Sequence, residues 1–274
     1  MPNKIPLMKN DFGGWAQHYA SIPYDHYRLE VYELFIEILI HLKSHARVLD
    51  VGAGPGNLSH EYFKRFPRST CQFVLVDASR ELLKVAEDRF QGHVKTVVRS
   101  YNASDWDKGL GNFDAIVSNN SLFHLHPQSL PGFYDACYRR LKRNGILLNQ
   151  QAFGYESQNT PGAIDAFSAF VQTLPRCILP QDSTTERERR RLKAKKVAAG
   201  RRRVEAMDQA RASGVEIATA DEHQYLTAEK HLEHMRNAGF SAGVIWQKRD
   251  FAVLMGVKGN PLATRETHPL CSGK

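Results

Sequence analysis

A glycine-rich turn between an apolar strand and a helix constrains this chain more than any other feature. The run Arg47–Val51 is short and apolar, as expected of a buried parallel strand, and residues 58–66 have the pattern of the helix that follows it. The turn between them carries three alternating glycines, Gly52, Gly54 and Gly56. Because glycine has no Cβ, such a turn can bend sharply and let a ligand lie against the main chain.

An acidic residue follows the second predicted strand. Residues 73–76 form another apolar run, and Asp77 closes it. Ligands of open α/β sheets bind at the carboxyl ends of the strands, where an acid roughly 20 residues after the glycines can hold a ribose. A carboxylate can accept both hydrogen bonds of a vicinal diol. The pattern therefore predicts a nucleoside-binding α/β domain.

The spacing of the glycines distinguishes between two classes of nucleoside-binding motif. A nicotinamide or flavin fingerprint would place its third glycine at position 57, which here is Asn57. Residues 48–58 instead resemble motif I of the class I S-adenosylmethionine (SAM) dependent methyltransferases, with Asp50 as the acid at the end of the first strand. A Rossmann-like domain without SAM is the alternative that the motif leaves open.

Further segments resemble the same family in order along the chain. Residues 113–125 are similar to its fourth-strand motif, and 141–148 to the helix, turn and fifth strand that follow, with Gly145 suited to the left-handed position that stops a helix. Residues 228–237 have a helical pattern, and 244–248 and 251–257 have that of a hairpin. The resemblance implies an α/β fold: a seven-stranded, mostly parallel sheet with an antiparallel C-terminal hairpin, helices on both faces and a helical lid insertion.

The expected organisation divides the chain into five segments. They are an N-terminal cap (1–30), a SAM-binding Rossmann-like core (31–153), a helical lid or substrate insertion (154–225), a helix and hairpin that complete the core (226–258), and a flexible tail (259–274). Six residues at helical spacing near the start of the core are predicted to be buried: Val31, Leu34, Phe35, Ile38, Leu39 and Leu42.

The resemblance implies SAM as cofactor, with S-adenosylhomocysteine (SAH) as product. The predicted contacts are Trp15, Tyr19, Asp50, Gly52, Ala53, Gly54, Gly56, Asn57, Leu58, Asp77, Ala78, Asn102, Ala103, Ser118 and Asn119. Asn102 takes the position where the family usually carries the acid that holds the adenine amine, and Asp105 is the alternative. Trp15 and Tyr19 would close over the methionine end of SAM, or else belong to an amphipathic cap packed on the sheet.

Methyl transfer needs little covalent help from a protein, because positioning the acceptor in line with the methyl group supplies most of the effect. A base is needed only when the acceptor must lose a proton. His124, just after the fourth strand, is the best-placed candidate, with Tyr19 and His18 as weaker ones. The alternative for His124 is a packing or hydrogen-bonding role.

The insertion carries a long predicted helix, residues 186–211, whose basic run, residues 187–203, is rich in arginine and lysine. Nucleic-acid binding, an anionic small substrate and a plain solvated lid all remain open for it, since no aromatic stacking platform accompanies the charges. The predicted function is methyl transfer to an oxygen or nitrogen, less readily a carbon, of a small molecule. An RNA or tRNA methyltransferase using the basic helix is the first alternative, and a nucleoside-binding protein without catalysis is the second.

Composition sets the remaining expectations. With 274 residues, 42% of them hydrophobic, the chain can bury one sizeable core. Its four cysteines form no Cys-x-x-Cys pair, so we expect neither a metal site nor a disulfide framework. No apolar run has signal-peptide or membrane-spanning length. We therefore expect a cytoplasmic monomer or homodimer without membrane contact.

Overall fold

The computed structural model describes residues 26–153, 226–248 and 251–259. The helices in these ranges are α1 His26–Ile40, α2 Asn57–Arg65, α3 Arg80–Phe90, α4 Leu130–Arg140 and α5 Ala228–Asn237. The strands are β1 Arg47–Val51, β2 Gln72–Asp77, β3 Val94–Val98, β4 Phe113–Asn119, β5 Leu141–Ala152, β6 Phe240–Lys248 and β7 Phe251–Lys258. Two short 3-10 turns, Leu122–His124 and Pro127–Ser129, lie between β4 and α4.

All seven strands form one mixed sheet in the order β3-β2-β1-β4-β5-β7-β6. Strands β1 to β5 are parallel, and β7 runs antiparallel between β5 and β6. This confirms the predicted sheet with its antiparallel C-terminal hairpin. The predicted lid insertion (154–225), the N-terminal residues 1–25 and the tail from 260 lie outside the described residues.

Helices cover both faces of the sheet, as predicted, because strand residues alternate between two cores. Leu49 and Val51 of β1 face a core that contains α4 and α5, whereas Val48 faces a core that contains α1, α2 and α3. Among the described helices, none combines the length and hydropathy that a membrane crossing requires.

The predicted core face of α1 is confirmed. Val31, Phe35 and Leu39 are fully buried. Leu34, Ile38 and Leu42 are partly buried and pack against the same core. Tyr32 and Ile36 are buried as well, so the apolar face of α1 is wider than the predicted stripe.

The prediction of a helix end at Gly145 is wrong. Helix α4 ends at Arg140 and β5 begins at Leu141. The residue with a left-handed backbone is Asn144, with φ of 63°. Gly145 is needed for space instead, since a Cβ there would lie 2.9 Å from the carbonyl oxygen of Lys142. A glycine stop signal and a close main-chain approach look alike in sequence.

The C-terminal hairpin offers a matched pair of glycines for a packing test. A Cβ on Gly256 of β7 would lie 2.7 Å from Met235 and 2.9 Å from the ring of Phe240, whereas Gly243 of β6 has open space. Gly256→Ala should lower the free energy of unfolding by about 1–3 kcal/mol through overpacking of α5 on the sheet. Gly243→Ala should be neutral within about 0.5 kcal/mol. Chemical denaturation measures both, and equal effects would contradict the packing role of Gly256.

Candidate cofactor site

The turn after β1 holds three glycines in the left-handed region. Their φ angles are 69° at Gly52, 54° at Gly54 and 70° at Gly56. A Cβ on Gly52 would lie 2.3 Å from Ser121, and one on Gly56 would lie 2.7 Å from the ring of Phe90. Gly52 and Gly56 are therefore required both by backbone conformation and by close packing. Between them, Gly54 turns its N–H towards the end of β2.

Asp77 receives that N–H and fixes the geometry of the site. Its Oδ2 accepts a hydrogen bond from the Gly54 N–H at 2.8 Å, and its Oδ1 accepts one from the Ser79 N–H at 2.8 Å. Burial raises the pKa of Asp77, while the backbone donors of Ser79, Gly54 and Ala78 act in the opposite direction. Since a carboxylate offers roughly four acceptor positions, room remains for a ligand hydroxyl.

A second carboxyl lies deeper, at Asp50 in β1. Its residue is 3% exposed. Burial, assisted by the charge of Asp77, raises the pKa of Asp50 to about 7. The site thus contains two acids of different character: a buried one that holds its proton into the neutral range, and a hydrogen-bonded one at the edge of the sheet.

The end of β4 is tied to the end of β1 by Ser121. Its Oγ donates to the Val51 carbonyl oxygen at 3.0 Å and lies 2.8 Å from the Ser118 Oγ. The Tyr101 hydroxyl donates to the Ser121 carbonyl oxygen at 2.9 Å. Ser118 is fully buried, so its hydroxyl positions Ser121, whereas Asn119 is partly exposed at the strand end.

The back of the glycine turn is held by Arg89 of α3. Its guanidinium donates to the Pro55 carbonyl oxygen at 3.1 Å and to the Asn57 Oδ1 at 2.9 Å. Leu58 belongs to the core on that face, and Ala53 packs against it. Three predicted cofactor contacts, Ala53, Asn57 and Leu58, therefore each contact other residues of the protein.

Asn102 has a role that the sequence did not predict. Its side-chain oxygen accepts from the His126 N–H at 2.9 Å, and its amide nitrogen donates to the His124 carbonyl oxygen at 3.3 Å. Asn102 therefore clamps the loop after β4. Its neighbour Ala103 packs partly buried on the core, and Ala78 is exposed beyond Asp77.

His124 closes the 3-10 turn after β4, with its ring centroid 4.1 Å from that of Phe123. The structure thus brings the loop of His124 to the same sheet edge as Gly52, through Ser121. The predicted residues Trp15 and Tyr19, and the weaker candidate His18, lie outside the described residues.

Sequence reasoning missed a buried polar group beside this loop. His231 of α5 is 2% exposed and contacts Tyr134 and Gln151. The available signal was its place on the apolar face of α5, one helical turn before Met235. A histidine on such a face is usually a core residue, so its partners could be found only in the folded structure.

Comparisons with known proteins find similarity to methyltransferases. A family model described as a methyltransferase domain matches residues 48–145. The chain is 25% identical over 133 residues to phosphoethanolamine N-methyltransferase of Plasmodium falciparum, covering 48% of each protein. It is 32% identical over 109 residues to cyclopropane-fatty-acyl-phospholipid synthase of Escherichia coli K12, covering 40% of this chain and 27% of that enzyme. The match thus spans about half of the first relative's length and about a quarter of the second's.

Solved structures share the fold. An O-methyltransferase family protein from Burkholderia thailandensis superposes with a TM-score of 0.51 at 14% identity, covering 85% of this chain and 57% of that one. Magnesium protoporphyrin IX methyltransferase from Synechocystis, solved with bound SAH, gives a TM-score of 0.52 at 12% identity and covers 90% of this chain and 94% of that one. The resemblance seen in the glycine turn is confirmed: residues 48–145 match a methyltransferase-domain model, and the described residues share the fold of class I SAM-dependent methyltransferases.

The packing at Gly52 predicts a strong effect of one added carbon. Gly52→Ala should lower stability and SAH affinity far more than Gly109→Ala, because a Cβ at 52 would overlap Ser121 while position 109 has open space at nearly the same φ of 74°. The left-handed alanine costs about 1–2 kcal/mol at both sites, and the overlap adds to it only at 52. Chemical denaturation and calorimetric titration with SAH measure the two effects; equal losses would exclude the contact with Ser121 as their source.

The raised pKa of Asp50 predicts a pH-dependent stability. Since the folded protein keeps a proton that the unfolded chain releases, this group reduces stability as pH rises from about 4 to about 7. Asp50→Asn should therefore gain stability over wild type across that range, by up to a few kcal/mol at its upper end. Urea denaturation at a series of pH values measures the difference, with Asp88→Asn as an exposed control. A difference that is constant with pH would contradict the prediction.

Proposed function

We propose that this protein transfers a methyl group from SAM to a small-molecule acceptor. One observation carries the proposal: the Asp77 carboxylate accepts a hydrogen bond from the Gly54 N–H at 2.8 Å. This bond holds a carboxylate that can accept from a ribose diol beside a glycine turn, where no side chain blocks the main chain. This arrangement suits the ribose and the chain of SAM. The remaining predicted contacts, including Ala78 and Asn119 at the exposed strand ends, belong to the same proposal.

The comparisons support a small acceptor without fixing it. The names of the similar proteins specify phosphoethanolamine, a fatty-acyl phospholipid product and magnesium protoporphyrin IX, with transfer to nitrogen in one case and oxygen in another family. We propose an oxygen or nitrogen acceptor, with carbon as the less favoured choice.

Bound SAM supplies an electrophilic methyl group on a good leaving group. The contribution of the chain is to orient: Ser121 and Gly52 fix the relative position of the β1 and β4 ends, and Asp77 fixes the nucleoside. His124, on the loop fixed by Asn102, would accept a proton from an acceptor that must lose one. If the methyl-transfer rate of His124→Gln has the same pH profile as that of wild type, His124 does not accept this proton.

Other parts of the proposal concern segments that lie wholly or mostly beyond the described residues. The cap (1–30), the substrate insertion (154–225) and the tail (259–274) keep the boundaries predicted from sequence, with Trp15 and Tyr19 as cap contacts. The RNA-modifying alternative depends on the basic run 187–203, and no observation on the described residues favours it. A cytoplasmic monomer or homodimer completes the proposal.

Removal of the Asp77 carboxylate tests the cofactor role. Asp77→Ala should weaken binding of SAM and SAH by more than about tenfold, because a charged acceptor of the diol is lost. The affinity of Asp77→Asn, which keeps one side-chain oxygen, should lie between that of Asp77→Ala and that of wild type. Asp88→Ala removes an exposed acid paired with Lys84 and should bind normally. Calorimetric titration measures all four proteins, and wild-type affinity in Asp77→Ala would show that the nucleoside is held elsewhere.

A further inference from the structure

The segment after β3, residues 99–102, lies beside both anchors of the proposed cofactor site. The Arg99 N–H donates to the main-chain carbonyl oxygen of Asp77 at 2.8 Å. The Tyr101 ring lies 3.5 Å from the position that a Cβ on Gly52 would take. This segment therefore borders the residue proposed to hold the ribose and the first residue of the glycine turn.

The same segment holds the loop after β4, which begins at Ser121 and ends at His126. The Tyr101 hydroxyl donates to the Ser121 carbonyl oxygen at 2.9 Å. Further along the loop, the Asn102 amide donates to the His124 carbonyl oxygen at 3.3 Å, and its oxygen accepts from the His126 N–H at 2.9 Å. Both ends of the loop are therefore bonded to adjacent residues that border the cofactor site.

The loop after β4 is a single turn with hydrogen bonds of its own. The His124 N–H donates to the Ser121 carbonyl oxygen at 3.0 Å, and the Leu125 N–H donates to that of Leu122 at 2.9 Å. Because the turn is bonded internally, a shift of Asn102 displaces the turn and not one residue alone. The placement of His124, the proposed proton acceptor, thus depends on side chains of the segment after β3.

We propose that Tyr101 and Asn102 are positioning residues that couple the cofactor site to the loop after β4, so that cofactor binding and the placement of this loop stabilise each other. The coupling rests on the proposed methyl transfer and adds a link between its two sites. A nucleoside that orders the segment after β3 also orders the groups that hold the loop. Coupling between two sites is reciprocal, so the held loop strengthens cofactor binding by the same factor.

His126 allows the link to be cut from the loop side, at an exposed residue outside the predicted cofactor contacts. Its φ of −62° is one that proline adopts. The preceding Leu125 is extended, with φ of −79° and ψ of 130°, as a residue before proline must be. His126→Pro therefore removes the N–H that bonds Asn102 without straining the backbone. His126→Ala is the matched control, because it also removes the imidazole but keeps the N–H.

Calorimetric titration of the full chain with SAH measures the coupling. We expect His126→Pro to bind SAH about fivefold more weakly than His126→Ala, which is the effect of one hydrogen bond. His126→Ala should stay within about twofold of wild type. Tyr101→Phe keeps the ring and loses the hydroxyl that bonds Ser121, so it should also bind SAH more weakly than wild type.

Amide hydrogen exchange of wild type tests the coupling without substitutions, and so does not depend on how well His126→Pro folds. SAH should slow exchange of the His126 amide by about fivefold and leave that of His93, in the turn after α3, unchanged. Because the coupling is reciprocal, this slowing should match the affinity lost in His126→Pro relative to His126→Ala. A purely structural role of the bond predicts no such agreement.

Equal SAH affinities of His126→Pro and His126→Ala would overturn the coupling, as would unchanged or faster exchange of the His126 amide when SAH binds. Wild-type affinity in Tyr101→Phe would overturn the role of Tyr101. Each of these outcomes leaves SAH bound to wild type and the proposed function intact. If wild type binds neither SAM nor SAH, the proposed function itself fails.

Discussion

The hydrogen bond from the Gly54 N–H to the Asp77 carboxylate is the interaction on which the site depends. It joins the turn after β1 to the end of β2, while the Ser121 hydroxyl joins the same turn to the end of β4 through Val51. Strand order reverses direction between β1 and β4, and a crevice forms at such a switch point. The turn is therefore held from both neighbouring strands, which fixes the crevice before any ligand enters.

Burial shifts the pKa values of two ionisable groups, Asp50 and His231, in the direction that favours their neutral forms. Asp50 keeps its proton into the neutral range, whereas His231 loses its proton well below it. The Asp50 contribution to stability falls as pH rises between about 4 and 7, and the His231 contribution rises between about 3 and 6.5. The two slopes oppose each other between about pH 4 and pH 6.5, so their effects on the pH dependence of stability partly cancel there.

Much of the fold could be predicted from sequence because its determinants are local. The strand at Arg47–Val51, the glycine turn, Asp77 at the end of β2 and the helix Ala228–Asn237 each carry a pattern of a few residues. Gly145 shows where such reasoning fails, since its constraint is the approach of the Lys142 carbonyl oxygen and not a helix end.

The candidate site was less predictable, because its geometry depends on contacts between distant segments. Asn102 aligns with a cofactor position but clamps residues more than 20 positions later in the chain, and Ser118 lies behind Ser121. His231 meets Gln151 across 80 positions of sequence. No spacing rule connects such residues, since the sheet topology alone brings them together.

The described residues on either side of the predicted insertion (154–225) have a consequence for how this scaffold can change. Phe153, the last described residue before the segment, packs its ring 5.1 Å from that of His231, and Leu226, the first after it, packs against the core that contains Phe153 and Leu232. Since both flanking residues pack on the same core, doubling the length of a flexible chain between them would cost only about 0.6 kcal/mol in closure entropy. In evolution or by design, this segment can therefore be replaced by one of another length and chemistry, while the seven strands and the crevice at their carboxyl ends stay unchanged.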